Sequence, residues 1–132
     1  MLLENFFRIG SVTETLETSP QGLAMKHYEV ALRLNPSHPV FAGHFPGNPV
    51  VPGVCQVQMV SETLRFLTGC EIRLEESDNI KFLSMINPVD NGDLILDFTL
   101  REPGEGHYLV NAKLSGPGVT FLKFKGNYIR ES

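Results

Sequence analysis

Phe41-Ala42-Gly43-His44-Phe45-Pro46-Gly47-Asn48-Pro49-Val50-Val51-Pro52-Gly53-Val54 carries prolines at 46, 49 and 52. That recurrence stiffens the backbone toward an extended, polyproline-like path. With Pro36 and Pro39 upstream and Gly43 and Gly47 between, residues 35–52 are too dense in breakers for regular helix or central strand, and they predict an ordered loop. At about Gly53 the pattern changes to a helix that runs to about Thr68 and stops at Gly69. Val57, Val60, Leu64 and Leu67 form an apolar stripe on it, widened by Cys55, Met59 and Phe66, while Gln58, Glu62 and Arg65 cluster on the opposite face. The loop thus holds His44 at a set distance from a helix start whose N–H groups lack partners and carry partial positive charge. A base placed beside an oxyanion-binding helix end is what enolate chemistry on a thioester requires.

Outward from that stretch the chain reads as strands. Tyr28, Val30, Leu32 and Leu34 alternate with His27, Glu29, Ala31 and Arg33, which predicts a strand near 26–34 beside another near 7–17. Beyond the helix, strands are predicted near 76–86, 93–101, 107–115 and 119–129. They are separated by the turn signals Pro88-Val89-Asp90-Asn91-Gly92, Glu102-Pro103-Gly104-Glu105-Gly106 and Gly116-Pro117-Gly118. One long helix and an antiparallel meander make an α+β fold in a single domain over residues 1–132, with the helix covering the sheet's apolar face.

The net charge of −4, from 11 basic against 15 acidic side chains, argues against nucleic acid as the main partner. Cys55 and Cys70 form neither a CxxC pair nor a disulfide framework, so a reducing compartment is expected. The opening Met1-Leu2-Leu3-Glu4-Asn5-Phe6-Phe7 has an acid where a signal peptide needs basic residues, and its apolar run is too short for a membrane span. A cytoplasmic protein is the expectation. No metal-ligand spacing or phosphate-cradling glycine loop is present in the sequence, so neither metal nor cofactor is expected.

His-Phe-Pro-Gly-x-Pro-x-x-Pro-Gly-Val, residues 44–54, resembles the signature of the bacterial β-hydroxyacyl-[acyl-carrier-protein] dehydratases of the hot-dog superfamily. Lys81-Phe82 and Pro88-Val89-Asp90-Asn91-Gly92-Asp93 resemble that family's later strand and its Pro-x-x-Gly-Asp turn. The resemblance implies an antiparallel sheet wrapped round one central helix, dimers or assemblies of dimers with active sites at the subunit interface, and an acyl carrier protein as partner. It implies His44 as catalytic histidine, the Gly53 N–H as binder of the thioester carbonyl and the Val50 carbonyl as the group that orients the imidazole. Phe45 and Val54, which flank those groups in the motif, are implied at the substrate. The family's helix carboxylate follows the histidine by fourteen residues, and that position is Gln58, an amide that cannot deliver a proton as an acid does. Glu62 sits one turn on, where these dehydratases commonly carry an amide. The carboxylate is therefore moved by about 6 Å along the same face (four residues at ~1.5 Å each).

Blander readings stand beside these. Outside its motif, His44 is a loop histidine making a structural hydrogen bond. Glu62 is a surface partner for Arg65, three residues away, and Gln58 an amide bonded within an interface. Cys55 reads as a small buried residue rather than a nucleophile. Lys123 and Lys125 alternate on the last strand, with Lys81 on another, as a solvated face or as one that greets an acidic carrier protein. Two functional alternatives remain: a catalytically impaired acyl-binding or heterodimer-partner subunit, motivated by Gln58, and a hot-dog thioesterase, against which the intact His-Phe-Pro-Gly motif speaks.

Overall fold

The computed structural model describes residues 4–42 and 47–131. Six strands and one long helix follow in the order β1 (Phe7–Thr18), β2 (Ala24–Leu34), α1 (Gly53–Thr68), β3 (Ile72–Phe82), β4 (Asp93–Gly104), β5 (His107–Gly116) and β6 (Val119–Arg130). A short 3-10 turn, Pro39–Ala42, interrupts the loop that was expected to be irregular throughout. The third strand begins at Ile72, four residues earlier than the sequence suggests, and ends at Phe82. Its charged run Glu75-Glu76 hides the period of two, and register shifts between Leu74 and Glu76 and between Ser77 and Asn79 break the alternation.

All pairings are antiparallel, and the strands lie in the order β1-β2-β4-β5-β6-β3. β2 stands next to one edge and β3 forms the other, so the chain must cross the sheet between them. The helix makes that crossing on the apolar face.

That face is built in rows, because alternate residues of each strand point to the same side. Val30, Leu96, Leu114, Leu122 and Phe82 are successive partners across five strands. Tyr28, Phe98, Ala112 and Phe124 form the next row. Tyr28 stacks on Phe98 with ring centroids 5.0 Å apart. Gly126 lies on the same side of β6, where a Cβ would stand 2.7 Å from the ring of Phe124 and 2.9 Å from Leu74, so only glycine leaves the two side chains room to meet.

The helix buries Cys55, Gln56, Met59, Val60, Ser61, Thr63 and Leu64 against these rows. Its buried arc is rotated from the one expected: Phe66 is 66% exposed, whereas polar Gln56, Ser61 and Thr63 lie inside. Two of them solve the burial of a hydroxyl within their own helix: Thr63 donates to the Met59 carbonyl (2.8 Å) and Ser61 lies 3.3 Å from that of Val57. Ser61 also bonds the Tyr128 hydroxyl at 2.8 Å, tying the helix to β6. At the C-terminal end Gly69 takes a left-handed conformation (φ 69°) and its N–H closes on the Arg65 carbonyl.

Candidate active site at the helix start

The N-terminus of α1 has no side-chain cap. Pro52 occupies the cap position in extended geometry (φ −59°, ψ 148°), and its carbonyl accepts the N–H groups of Cys55 (3.0 Å) and Gln56 (3.1 Å). The N–H groups of Gly53 and Val54 make no hydrogen bond to any described residue. Among the described residues, nothing competes for these two donors, which stand at the positive end of a sixteen-residue helix where an oxygen that gains charge is favoured.

Three contacts hold this helix start in place. The Val51 N–H donates to the Ile86 carbonyl at 2.9 Å, and the Val51 carbonyl accepts from Gln56 Nε2 at 3.3 Å. Ile86 is itself fully buried, just ahead of a turn closed by Asn87 and Asn91. Asn87 Oδ1 accepts the N–H groups of Val89 and Asp90, and Asn91 Oδ1 accepts that of Asn87. The ring of Phe82 covers Gly53 closely enough that a Cβ there would stand 2.8 Å from Cζ. Neither Gln56 nor Phe82 was singled out for the site from sequence. Gln56 reads as one more polar helix residue, and the meeting of Phe82 with Gly53 depends on the sheet order.

His44 and Phe45, the expected base and its neighbour, lie outside the described residues. On the near side of them Phe41 packs on Phe6 (ring centroids 5.4 Å apart), and Phe6 meets His38 edge-on. His38 Nδ1 accepts the Val40 N–H, which leaves Nε2 to donate to the Glu4 carbonyl, a structural role. On the far side, the carbonyl of Val50 has no partner among the described residues. Val54 is 68% exposed at the same helix start.

Gln58 and Glu62 both lie half-buried on α1, in line with Val54 and Phe66 at four-residue spacing, on the face turned away from the sheet. Arg65, expected beside them as a solvated residue, is half-buried, donating Nε to the Ile72 carbonyl at 3.0 Å, with Nη1 buried. Burial pushes the Cys55 thiol up, which suits a packed residue and not a nucleophile. Burial likewise drives the Tyr128 hydroxyl to about 12, against the smaller opposing effects of Ser61 and Arg65, so it remains a neutral donor. No helix among the described residues is long and apolar enough to cross a membrane.

Residues 21–115 match the family model described as ApeI dehydratase, ApeI-like. That stretch spans the loop, the helix and the Asn87–Asn91 turn. The chain belongs to the ApeI-like dehydratase family. Among its relatives, a 3-hydroxyacyl-[acyl-carrier-protein] dehydratase FabZ of Caulobacter sp. (strain K31) is 40% identical over 65 residues, which cover 45% of this chain and 40% of that one. The FabZ of Ralstonia nicotianae is 30% identical over 124 residues, or 94% of this chain and 70% of its own. The chain therefore spans less than half the length of the Caulobacter relatives it matches. Among solved structures, a chain of the dehydratase heterocomplex ApeI:P of Xenorhabdus doucetiae superposes with a TM-score of 0.66 at 24% identity, covering 92% of this chain and 100% of that one. A protein from Erwinia carotovora subsp. atroseptica gives 0.67 at 21%, covering 92% and 94%. At such identities the likeness carries the fold, and the α+β hot-dog architecture expected from the motif is the one this family has.

Proposed function

We propose that this chain removes water from 3-hydroxyacyl thioesters carried on the phosphopantetheine arm of an acyl carrier protein, in the cytoplasm, without metal or cofactor. The observation that carries the reading is the membership in the ApeI-like dehydratases over a stretch that contains the His44–Val54 motif. The N–H groups of Gly53 and Val54, which have no partner among the described residues, support it. In this reading the His44 imidazole, oriented by the Val50 carbonyl, takes the proton from the carbon next to the thioester. The electron pair moves onto the thioester oxygen, which the Gly53 N–H binds. The enolate then collapses to a carbon–carbon double bond, the C3–O bond breaks, and the hydroxyl leaves as water with a proton supplied through Glu62, with Gln58 as its hydrogen-bonding neighbour. Phe45 and Val54 border the acyl chain.

The site is completed by a second subunit. β3 is an edge strand, and Ile80, Phe82, Leu83 and Met85 (79% exposed) on and after it leave an apolar band that meets the start of α1 where Phe82 covers Gly53. A twofold pairing of β3 edges covers that band.

A second reading is favoured by one residue. Gln58 stands where the resembled dehydratases hold their acid, so the chain fits equally as the acyl-binding partner of an active homologue. Purified protein assayed with 3-hydroxyacyl and enoyl carrier-protein thioesters separates the two. Under the first reading the wild type interconverts them, and His44→Ala loses on the order of 10²–10⁴-fold in rate with an unchanged melting curve. A wild type inactive alone but active with a homologue present supports the second, and near-native turnover by His44→Ala removes His44 as the base.

A further inference from the structure

Gln56 is a buried amide, 3% exposed, whose two polar atoms fare differently. Nε2 donates to the Val51 carbonyl at 3.3 Å, whereas Oε1 is buried with no hydrogen-bond partner. An acceptor left unsatisfied in the interior costs at least as much as one neutral hydrogen bond returns. The amide thus satisfies one carbonyl and brings in an unsatisfied one of its own. Folding gains little from that exchange. What the exchange does change is where the Val51 carbonyl is held.

Val51 stands between two peptide units, both planar and trans. The first joins Val50 to Val51. Its N–H donates to the Ile86 carbonyl at 2.9 Å, and in a trans unit the carbonyl points the opposite way, so the Val50 carbonyl is aimed away from Ile86. The second unit joins Val51 to Pro52. Its nitrogen is the proline's and carries no hydrogen, which leaves the Val51 carbonyl as the only polar group by which the unit can be held. Gln56 holds it. Helical side chains lean toward the N-terminus, and this brings a glutamine five residues on back over Val51.

Beyond that unit the Pro52 ring locks φ at −59°, and the Pro52 carbonyl accepts the backbone N–H groups of Cys55 and Gln56. Gln56 therefore grips two successive carbonyls, that of Val51 with its side chain and that of Pro52 with its backbone. The torsions of Val51 are fixed by the bonds at its N–H and its carbonyl, and those of Pro52 by its ring and by the helix. Nothing between the Val50 carbonyl and the Gly53 N–H is left to turn.

We infer that Gln56 is a positioning residue: its amide pins the Val51–Pro52 unit and so sets the Val50 carbonyl relative to the N–H groups of Gly53 and Val54. In the dehydratase reading that carbonyl orients the base and the N–H of Gly53 receives the thioester oxygen. The clamp then fixes the distance over which proton removal and charge stabilisation act together. This catalytic consequence rests on the dehydratase reading, whereas the clamp does not.

The test compares the wild type with two variants of the full chain. Gln56→Met keeps the volume and removes both the donor and the unsatisfied acceptor, and Gln56→Glu can donate only while its carboxyl is protonated. Rates on carrier-bound 3-hydroxyacyl thioester, melting curves and hydrogen exchange of the Val51 N–H by NMR are measured for each. Gln56→Met should melt close to the wild type, exchange the Val51 N–H faster and lose about 10- to 100-fold in kcat with KM little changed, as for a misplaced catalytic group. Gln56→Glu should approach the wild-type rate at the acid end of the profile. Its ratio to the wild type should fall as pH rises and a carboxylate forms beside the Val51 carbonyl. A control, Thr63→Val, removes another buried polar group from the same helix and should leave kcat and Val51 exchange untouched.

Near-native kcat in Gln56→Met overturns the inference, as does an equal loss in the control. A Gln56→Glu ratio that is flat in pH also overturns it, and that measurement decides alone if Gln56→Met folds poorly. A wild type that turns over no thioester, while Gln56→Met speeds Val51 exchange, leaves the clamp standing and removes the dehydratase reading. Turnover by the wild type, with rate and exchange unchanged in Gln56→Met, does the reverse.

Discussion

Gly53 and Phe82 are matched in shape: the ring that closes β3 occupies the space a side chain at the first residue of α1 would need, with Cζ 2.8 Å from the position of a Cβ. Gly53→Ala is therefore expected to push the half-exposed ring outward, costing about 1 kcal/mol, at the low end for overpacking because the ring is free on one side. Phe82→Ala should remove the conflict, so a double-mutant cycle in urea should show a coupling of about 0.5–3 kcal/mol. Additive effects of the two substitutions would show that the ring and the helix start are independent.

Gln58 and Glu62 share the half-buried face of α1. If Glu62 supplies the departing hydroxyl with its proton, Glu62→Gln loses about 10²–10⁴-fold in rate, the scale for removing a general acid. Adding Gln58→Glu should recover much of that loss. Activity that appears only when Gln58→Glu is introduced into the wild type identifies the chain as a partner subunit instead.

His27 titrates in a setting that favours its charged form. Asp97 bonds Nε2 at 2.9 Å from β4, Glu17 on β1 stands 3.4 Å from Nδ1, and Glu29 adds its charge from β2. The hydrogen bond to Asp97, helped by these charges and opposed by burial, raises the histidine above its ordinary value. A raised folded-state value means stability that is fully present below about pH 6.5 and is lost as pH climbs through the folded value. The melting temperature should thus fall between about pH 6 and 8, and His27→Gln should flatten that slope. An unchanged slope in the variant would assign the pH response to other groups.

The exposed band after β3 predicts assembly. At micromolar concentration the wild type should scatter light as a dimer or a multiple of one. Leu83→Glu/Met85→Glu should shift the mass to that of a monomer, since a carboxylate cannot be buried unpaired in such an interface. A wild-type monomer would contradict the pairing of β3 edges.

Much of this protein was legible along the chain. The helix from Gly53 to Thr68, with its left-handed stop at Gly69, follows from the last proline of the loop and the first glycine after the apolar period. The alternation in β2, β4 and β5 shows which residues face the core, because a strand's side chains obey a period of two wherever it lies. The motif around His44 is local, so its resemblance to the dehydratase signature was readable without a fold.

What tertiary structure alone decided is whatever joins residues distant in sequence. The sheet order sends β3 to the far edge, and only then does Phe82 meet Gly53. The burial of Gln56 and Ser61 depends on which way the helix turns, and the apolar period allowed an arc centred too near Phe66. The lysines at 81, 113 and 123 become one row only through the pairing registers of three strands. A one-residue slip in either register would turn part of that row inward, so the row is a property of the paired sheet and not of any single strand.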